Sequence, residues 1–162
     1  MIILSIDSGV ERTGWAIFDK DKKYKDGLSY IASGLIKTLA SRDHAARLAD
    51  IHEQVVQIIK KYKPVHMVIE QLFFFKNQKT VISVAQAQGV VLTCAALHEI
   101  KTSSLTPLEI KQIVTGYGQA DKKGVQKMLK LTLGLDDELK QDDQADAIAC
   151  GLAYCFLNNQ LQ

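Results

Sequence analysis

The sequence has only two prolines, ten glycines and three cysteines among its 162 residues. So little proline and glycine excludes a collagen-like or low-complexity chain, and a hydrophobic content of 47% excludes a disordered one. The cysteines, Cys94, Cys150 and Cys155, are odd in number and form no C-x-x-C pair, so neither a disulfide framework nor a zinc knuckle is predicted. All three lie in apolar stretches, where we expect them to be small core residues.

Long apolar runs are also missing. No stretch approaches the ~18 residues of a transmembrane helix, so we expect no membrane partner. The apolar N-terminal segment has no basic residues before it and no small-residue cleavage pattern, so it does not look like a signal peptide. We therefore expect a cytoplasmic protein, and its length predicts one domain over residues 1–162.

The net charge of +2 is unevenly distributed along the chain. Residues 71–133 contain eight Lys or Arg and three Asp or Glu, which gives +5, whereas residues 134–162 contain one and six, which gives −5. A basic middle beside an acidic end is typical of a polyanion-binding surface next to a carboxylate cluster, although solvated surface charge can also divide in this way.

Hydrophobic periodicity predicts alternating strands and helices. The predicted strands are 1–7, 13–18, 28–38, 65–70 and 101–106. The predicted helices are 41–62, with Ser41 or Asp43 as its cap, 81–99, 107–115, 122–133 and 144–158. This order predicts an α/β fold in which a mixed five-stranded sheet is flanked by helices.

Four carboxylates lie at positions that are typical of a catalytic or metal-binding site. Asp7 and Glu70 each end a predicted strand, where α/β proteins place their sites. Asp143 and Asp146 are three residues apart, so they share one helix face. Structural roles are open to three of them: Asp7 as a turn former, Glu70 as a surface strand end, and Asp143 (or its neighbour Asp142) as an N-cap. Asp146 lies within an apolar stretch, where an acid is costly unless it is paired or binds metal.

Four converging acids with no His or Cys among them favour a hard cation. Mg²⁺ is the expected ion, and Mn²⁺ is expected to substitute for it. Two ions about 3.5–4 Å apart can activate a water and stabilise a leaving oxygen in phosphoryl transfer. The sequence therefore predicts two ions in the active site and a strict requirement for divalent cation.

Two polar segments predict contacts with nucleic acid. Phe73 follows the fourth strand and precedes a loop that contains Lys76 and Lys79, a combination that suits base stacking and phosphate contacts. Two of the three phenylalanines at 73–75 can equally point into the core. In the second segment, Lys122 and Lys123 follow the polar loop TGYGQAD, which fits phosphate contacts or an ordinary solvated helix start.

The predicted helix over 81–99 has a face of small residues, Ala85, Gly89 and Ala96, where another backbone could approach closely. Such a face fits a two-fold interface between copies of the chain, or packing of the helix on its own sheet. The sequence alone leaves both readings open.

Five stretches together resemble the RuvC family of Holliday-junction resolvases: IDSGVERTGWAI, VIEQLFFFKN, AQAQGVV, IKQIVTGYGQADKKGVQ and DDQADAIACGLAYC. The resemblance covers roughly residues 2–158. It implies a ribonuclease-H-like fold, a homodimer without a nucleotide cofactor, and Mg²⁺-dependent nicking of two strands at a four-way DNA junction.

The resemblance also implies roles for individual residues. The family's catalytic, metal-binding acids fall on Asp7, Glu70, Asp143 and Asp146. Its two functional lysines fall on Lys111 and Lys122, the second of which we also count as catalytic. Its junction-inserting aromatic residue falls on Phe73.

The chain departs from the family pattern at several positions. Ser8 stands where the family usually has proline, Asp142 adds a fifth acid, Lys123 and Gly124 alter the loop after Lys122, and three phenylalanines replace one. We therefore expect a relaxed sequence preference and activity on other branched DNA.

Three other functions compete with this interpretation. A junction-binding protein of the same fold would need lysines but no inward acids. A nuclease acting on forks or RNA–DNA hybrids would have the same acids. The D-x-G motif also suggests an actin-like ATPase or sugar-kinase fragment, but 162 residues do not supply the second lobe that such proteins close on a nucleotide.

Overall fold

The computed structural model describes residues 1–24, 26–71, 78–135 and 141–157, with the side chains of residues 78–80 left aside. Its strands are β1 (Ile2–Asp7), β2 (Arg12–Lys20), β3 (Leu28–Lys37), β4 (His66–Glu70) and β5 (Lys101–Leu105). Its helices are α1 (His44–Tyr62), α2 (Gln78–Leu97), α3 (Pro107–Thr115), α4 (Lys122–Leu133) and α5 (Asp142–Leu157). The predicted order of elements is confirmed, and most predicted bounds hold within three residues.

The five strands form one mixed sheet in the order β3-β2-β1-β4-β5. The first three strands are antiparallel, whereas β1 pairs with β4 and β4 pairs with β5 in parallel. The predicted mixed five-stranded sheet is therefore confirmed. Because β1 and β4 are parallel neighbours, their carboxyl ends meet at the same edge of the sheet.

Helices cover both faces of the sheet, so the molecule has three layers. Alternate residues of the central strands point into two separate cores. Ile3 and Val68 belong to the core under α3, α4 and α5. Leu4 and Met67 belong to the core under α1 and α2. Cys94, Cys150 and Cys155 are all buried in these cores, as predicted.

Helix α5 packs closely on the sheet, because alanine, glycine and cysteine make up most of its buried face. The Ser5 hydroxyl donates a hydrogen bond of 2.7 Å to the backbone carbonyl of Ala147, which joins β1 to α5. At the amino-terminal end of the helix, a Cβ on Gly14 would come within 1.8 Å of the Asp143 carbonyl oxygen. Only glycine permits this approach, so Gly14 sets the height of the first turn of α5 above β2.

Helices α1, α3 and α4 each begin directly after a residue whose side chain caps the helix. Asp43, one of the two predicted caps, accepts a hydrogen bond from the Ala46 amide at the start of α1. The prediction that Asp142 or Asp143 caps α5 is wrong, because the Gln141 carbonyl accepts the first helical bond, from Ala145. Both aspartates instead lie in the first turn of α5, where the helix dipole favours negative charge. No helix in the described part of the chain is long and apolar enough to cross a membrane.

The close approach at Gly14 generates the first prediction. Gly14→Ala must move α5 away from β2, and we expect it to lower the free energy of unfolding by about 1–3 kcal/mol, as overpacking does. Urea unfolding followed by circular dichroism measures the change. The matched control is Gly118→Ala, between α3 and α4, where an added Cβ meets only side-chain atoms of Leu108 and Gln112, at 3.3–3.4 Å. We expect the control to stay within about 1 kcal/mol of the wild type, and equal losses in both variants would contradict the account.

Candidate active site

Asp7 and Glu70 end two neighbouring parallel strands. The register pairs Ile6 with Ile69, so the two acids come next, side by side, at the edge of the sheet. Ser5 reaches α5, and Asp7, two residues further along β1, faces the same side. Glu70 follows Val68, which lies in the core under α5, by two residues as well. Both carboxylates therefore face α5.

Helix α5 supplies the other two acids. Asp143 lies in its first turn against Gly14, and Gly14 is the β2 partner of Asp7 in the strand register. Asp146 lies one turn further along the same helix face. The sheet edge and the first two turns of α5 thus bring together four acids from distant parts of the sequence.

The electrostatics show that these acids act on one another. Burial, followed by the charges of Glu70, Asp146 and Asp143, raises the pKa of Asp7 to about 8. Burial, followed by the charge of Asp146, raises the pKa of Glu70 to about 7. The pKa of Asp146 is raised too, chiefly by burial. Strongly raised carboxyl pKa values in one cluster are typical of functional sites.

Two of the predicted lysines lie on the same side of the sheet. Lys122 is the first residue of α4, and its charge lowers the pKa of Asp7, Glu70 and Asp146. Lys111 of α3 lowers the pKa of Glu70 and Asp146. In the described ranges these are the cations that act on the acids. Both are therefore placed to contact a phosphate that lies at the carboxylates.

Asp142 has a role that the sequence did not suggest. Its Oδ2 lies 3.2 Å from the Lys122 Nζ, and this hydrogen bond is the main cause of the raised pKa of Lys122. The Gln126 amide also reaches Asp142, at 3.5 Å. The fifth acid therefore pairs with the lysine beside the site. No sequence signal could have shown this, because the two residues are 20 positions apart and on different helices.

The remaining predicted contacts lie elsewhere. Lys123 is exposed next to Lys122 at the start of α4. Phe73 and Lys76 fall outside the described residues, and so does the side chain of Lys79. Their predicted roles in DNA binding stay predictions.

A cation site must be judged by donors and by geometry. The four acids offer only oxygen ligands, which suits Mg²⁺ or Mn²⁺. Within the ranges that the structure describes, no group of three or more Cys, His, Asp or Glu side chains already has the geometry to hold a metal ion. The acids fit a divalent cation in chemistry and position. Their mutual repulsion contributes to the raised pKa of Asp7, and a bound cation would reduce that repulsion.

The small-residue face of α2 is exposed. Ala85, Gly89 and Ala96 lie on the outside of the helix. Ala87 and Cys94 occupy the buried face and belong to the core beneath α2. The alternative that the small residues pack on their own sheet is therefore wrong.

Comparisons with known proteins agree on one family. The family model "Crossover junction endodeoxyribonuclease RuvC" matches residues 3–155. Proteins of that name from Fusobacterium nucleatum subsp. nucleatum and Caldanaerobacter subterraneus subsp. tengcongensis are similar. The first is 45% identical over 155 residues, covering 95% of this chain and 80% of that protein. The second is 40% identical over 163 residues, covering 100% and 96%.

A solved structure extends the comparison to the fold. Thermus thermophilus RuvC in complex with Holliday junction substrate matches with a TM-score of 0.89 at 25% identity, covering 99% of this chain and 96% of that one. The predicted ribonuclease-H-like fold is confirmed by this match.

The raised pKa values predict how stability depends on pH when divalent cations are absent. The unfolded Asp7 ionises near its ordinary pKa of 3.8, whereas the folded one keeps its proton up to about pH 8. Between these values the folded state binds more protons, so the free energy of unfolding should fall as pH rises from about 4 to about 8.

Asp7→Asn removes this ionisation. In EDTA we expect the variant to be more stable than the wild type at pH 8, and the gap to close as pH falls towards 4. Thermal unfolding across the pH range measures the difference. A variant that is less stable than the wild type at every pH would contradict the burial and crowding of Asp7.

Proposed function

The chain belongs to the RuvC family of crossover junction endodeoxyribonucleases, and on this premise we propose that it resolves four-way DNA junctions by paired, metal-dependent nicks. The observation that carries the proposal is the meeting of four acids from β1, β4 and α5 beside Lys122. Residues 1–162 would then form one ribonuclease-H-like nuclease domain. A binding protein without catalysis would have no use for crowded carboxylates that destabilise the fold.

Nucleases of this family are generally dependent on divalent metal. We propose Mg²⁺, with Mn²⁺ able to substitute, as two ions per site held by Asp7, Glu70, Asp143 and Asp146. When bound, such ions activate the attacking water and stabilise the leaving oxygen of a phosphodiester. The acids supply oxygen ligands, and their placement at one edge of a rigid sheet fixes where the scissile phosphate must lie.

The lysines act on the phosphate itself. Lys122 pairs with Asp142 at 3.2 Å, and its positive charge acts on the acids, whose pKa values it lowers. A cation in this position stabilises the negative charge that develops on the phosphate in the transition state. We assign Lys111 and Lys123 to phosphate contacts along the same strand. Lys76 and Lys79 would contact the DNA beyond the fourth strand, and Phe73 would insert into the junction.

A four-way junction is symmetric, and two opposed nicks need two active sites. We propose a homodimer formed through the exposed face of α2. That face combines Ala85 and Gly89, which allow close approach of a second helix, with the exposed apolar side chains of Ile82 and Leu92. Exposed apolar groups beside small residues are typical of a surface that a partner covers.

The four acids constrain the substrate range less than they constrain the reaction. The same acids would serve a nuclease that cuts forks or RNA–DNA hybrids. The departures at Ser8, Asp142 and the phenylalanines at 73–75 favour a relaxed sequence preference and some activity on other branched DNA. The relatives are bacterial, so we place the protein in the cytoplasm, where bacterial DNA lies.

A panel of labelled substrates tests the function directly. We expect Mg²⁺ to promote paired nicks in four-way junctions, with slower cutting of three-way junctions and forks and none of plain duplex or hybrid. Nicks are located on a denaturing gel, with EDTA as the blank. Asp7→Asn should abolish cutting and leave junction binding within about threefold of the wild type, because a phosphate-binding surface supplies most of the affinity. A wild-type protein that binds the junction in Mg²⁺ but never nicks it would refute the nuclease proposal.

Lys122 and its neighbour provide a matched pair. Lys122→Ala should slow nicking roughly 10–100-fold at saturating protein, because it removes a charge held at the acids. Lys123→Ala removes the same charge from the next residue of α4, which is exposed, and should affect binding more than the rate. Single-turnover kinetics separate rate from affinity. Equal rates for both variants would remove Lys122 from the catalytic step.

A further inference from the structure

A cleft opens beside the acidic edge, on the side of the sheet that α1 and α2 cover. It has a volume of about 580 Å³, and its lining includes Arg12, His44, Arg47 and Asp143. Asp143 belongs to the active site as well, so the cleft and the carboxylates are continuous. We call this feature the arginine cleft.

Arg47 is held in a fixed direction. Its Nε donates a hydrogen bond of 2.8 Å to the Thr38 hydroxyl, and that hydroxyl donates one of 2.7 Å to the Val10 carbonyl. Thr38 is buried, so the chain from Arg47 to the β1–β2 connection is sheltered from water. The first turn of α1, the end of β3 and the segment after Asp7 are thereby tied together around one guanidinium.

Most of the donors of Arg47 remain available. A guanidinium has five N–H donors, and Thr38 occupies one of them. Over the described ranges, no carboxylate lies within ion-pair distance of Arg47, whereas Arg42 pairs with Asp50. A pre-oriented arginine without an acidic partner is well suited to bind a phosphate, because its planar fork matches the phosphate oxygens.

The other lining residues define which anion fits. Arg12 lies 4.0 Å from Glu11 and both side chains are exposed, so the pair is loose and Arg12 can turn to a ligand. Glu11 and Asp143 also line the arginine cleft, and their carboxylates would repel a small free anion. A nucleic-acid strand avoids this conflict, because one phosphate can lie at the arginines while its neighbour lies at the acids.

We propose that the arginine cleft binds a backbone phosphate of the DNA strand next to the phosphate that is cut, with Arg47 and Arg12 as its ligands. The inference rests on the proposed nuclease function. It places basic groups on both sides of the acids: Lys111 and Lys122 come from the face covered by α3 and α4, and Arg47 comes from α1 on the opposite face. A strand held on both sides cannot slide past the carboxylates.

Salt-dependent binding of a fluorescent four-way junction tests the proposal. The measurements are made in EDTA, so that no strand is cut, on the wild type and on Arg12→Gln, Arg47→Gln and the double variant. Each lost phosphate contact should lower the slope of log affinity against log salt by about 0.7–0.9. The double variant loses the one phosphate that both arginines contact, so it should bind roughly tenfold more weakly and lose about 0.7–0.9 from that slope. Arg42→Gln, which removes the same charge close by but outside the arginine cleft, should match the wild type.

The outcomes are distinct. Shallower slopes in both single variants support the arginine cleft. Wild-type slopes in both overturn it, and so does a loss in Arg47→Gln alone without a change of slope, which would mean that Arg47 only supports the fold. Arg12 is exposed at the start of β2, so its variant should fold in any case. A wild type that fails to bind junctions at all would overturn the nuclease proposal too, whereas normal binding and nicking by the double variant would overturn the arginine cleft alone.

Discussion

The docking of α5 on the sheet is the contact on which the rest of the molecule depends. The Ser5 hydroxyl bonded to the Ala147 carbonyl, and the absence of a side chain at Gly14, set the helix at one height and one position along β1. Without that contact Asp143 and Asp146 would have no fixed relation to Asp7 and Glu70. The position of the proposed active site thus follows from how two core elements pack.

Packing also brings the four acids together, and their repulsion lowers the stability of the fold. Burial and mutual repulsion raise the pKa of Asp7 to about 8 and of Glu70 to about 7, so both resist ionisation at neutral pH. The two apolar cores beneath and above the sheet supply the compensating free energy. A divalent cation bound among these acids would remove the repulsion that folding imposes. Basic groups on both faces of the sheet then favour a polyanionic strand at the same edge.

Much of the fold could be predicted from local signals. The bounds predicted for α3 and α4 are those observed. In the structure Thr106 and Glu109 form a capping box at the start of α3, and Asp121 caps α4. The start of α5 was missed by two residues, since its first turn is acidic and shows no apolar periodicity. The four acids could be selected from strand ends and helix spacing. The partnership of Asp142 with Lys122, and the fixing of Arg47 by Thr38, depend on tertiary contacts between elements that no sequence pattern connects.

The most direct test of the central claim is to count Mn²⁺ ions bound to the protein by electron paramagnetic resonance, in the wild type, Asp7→Asn, Asp146→Asn and the double variant. If β1 and α5 build one site, each single variant should weaken binding of the same ions, and the double variant should lose little more than either single variant. Independent, additive losses, or full binding in both single variants, would show that the two carboxylates belong to different places on the molecule and would contradict the account.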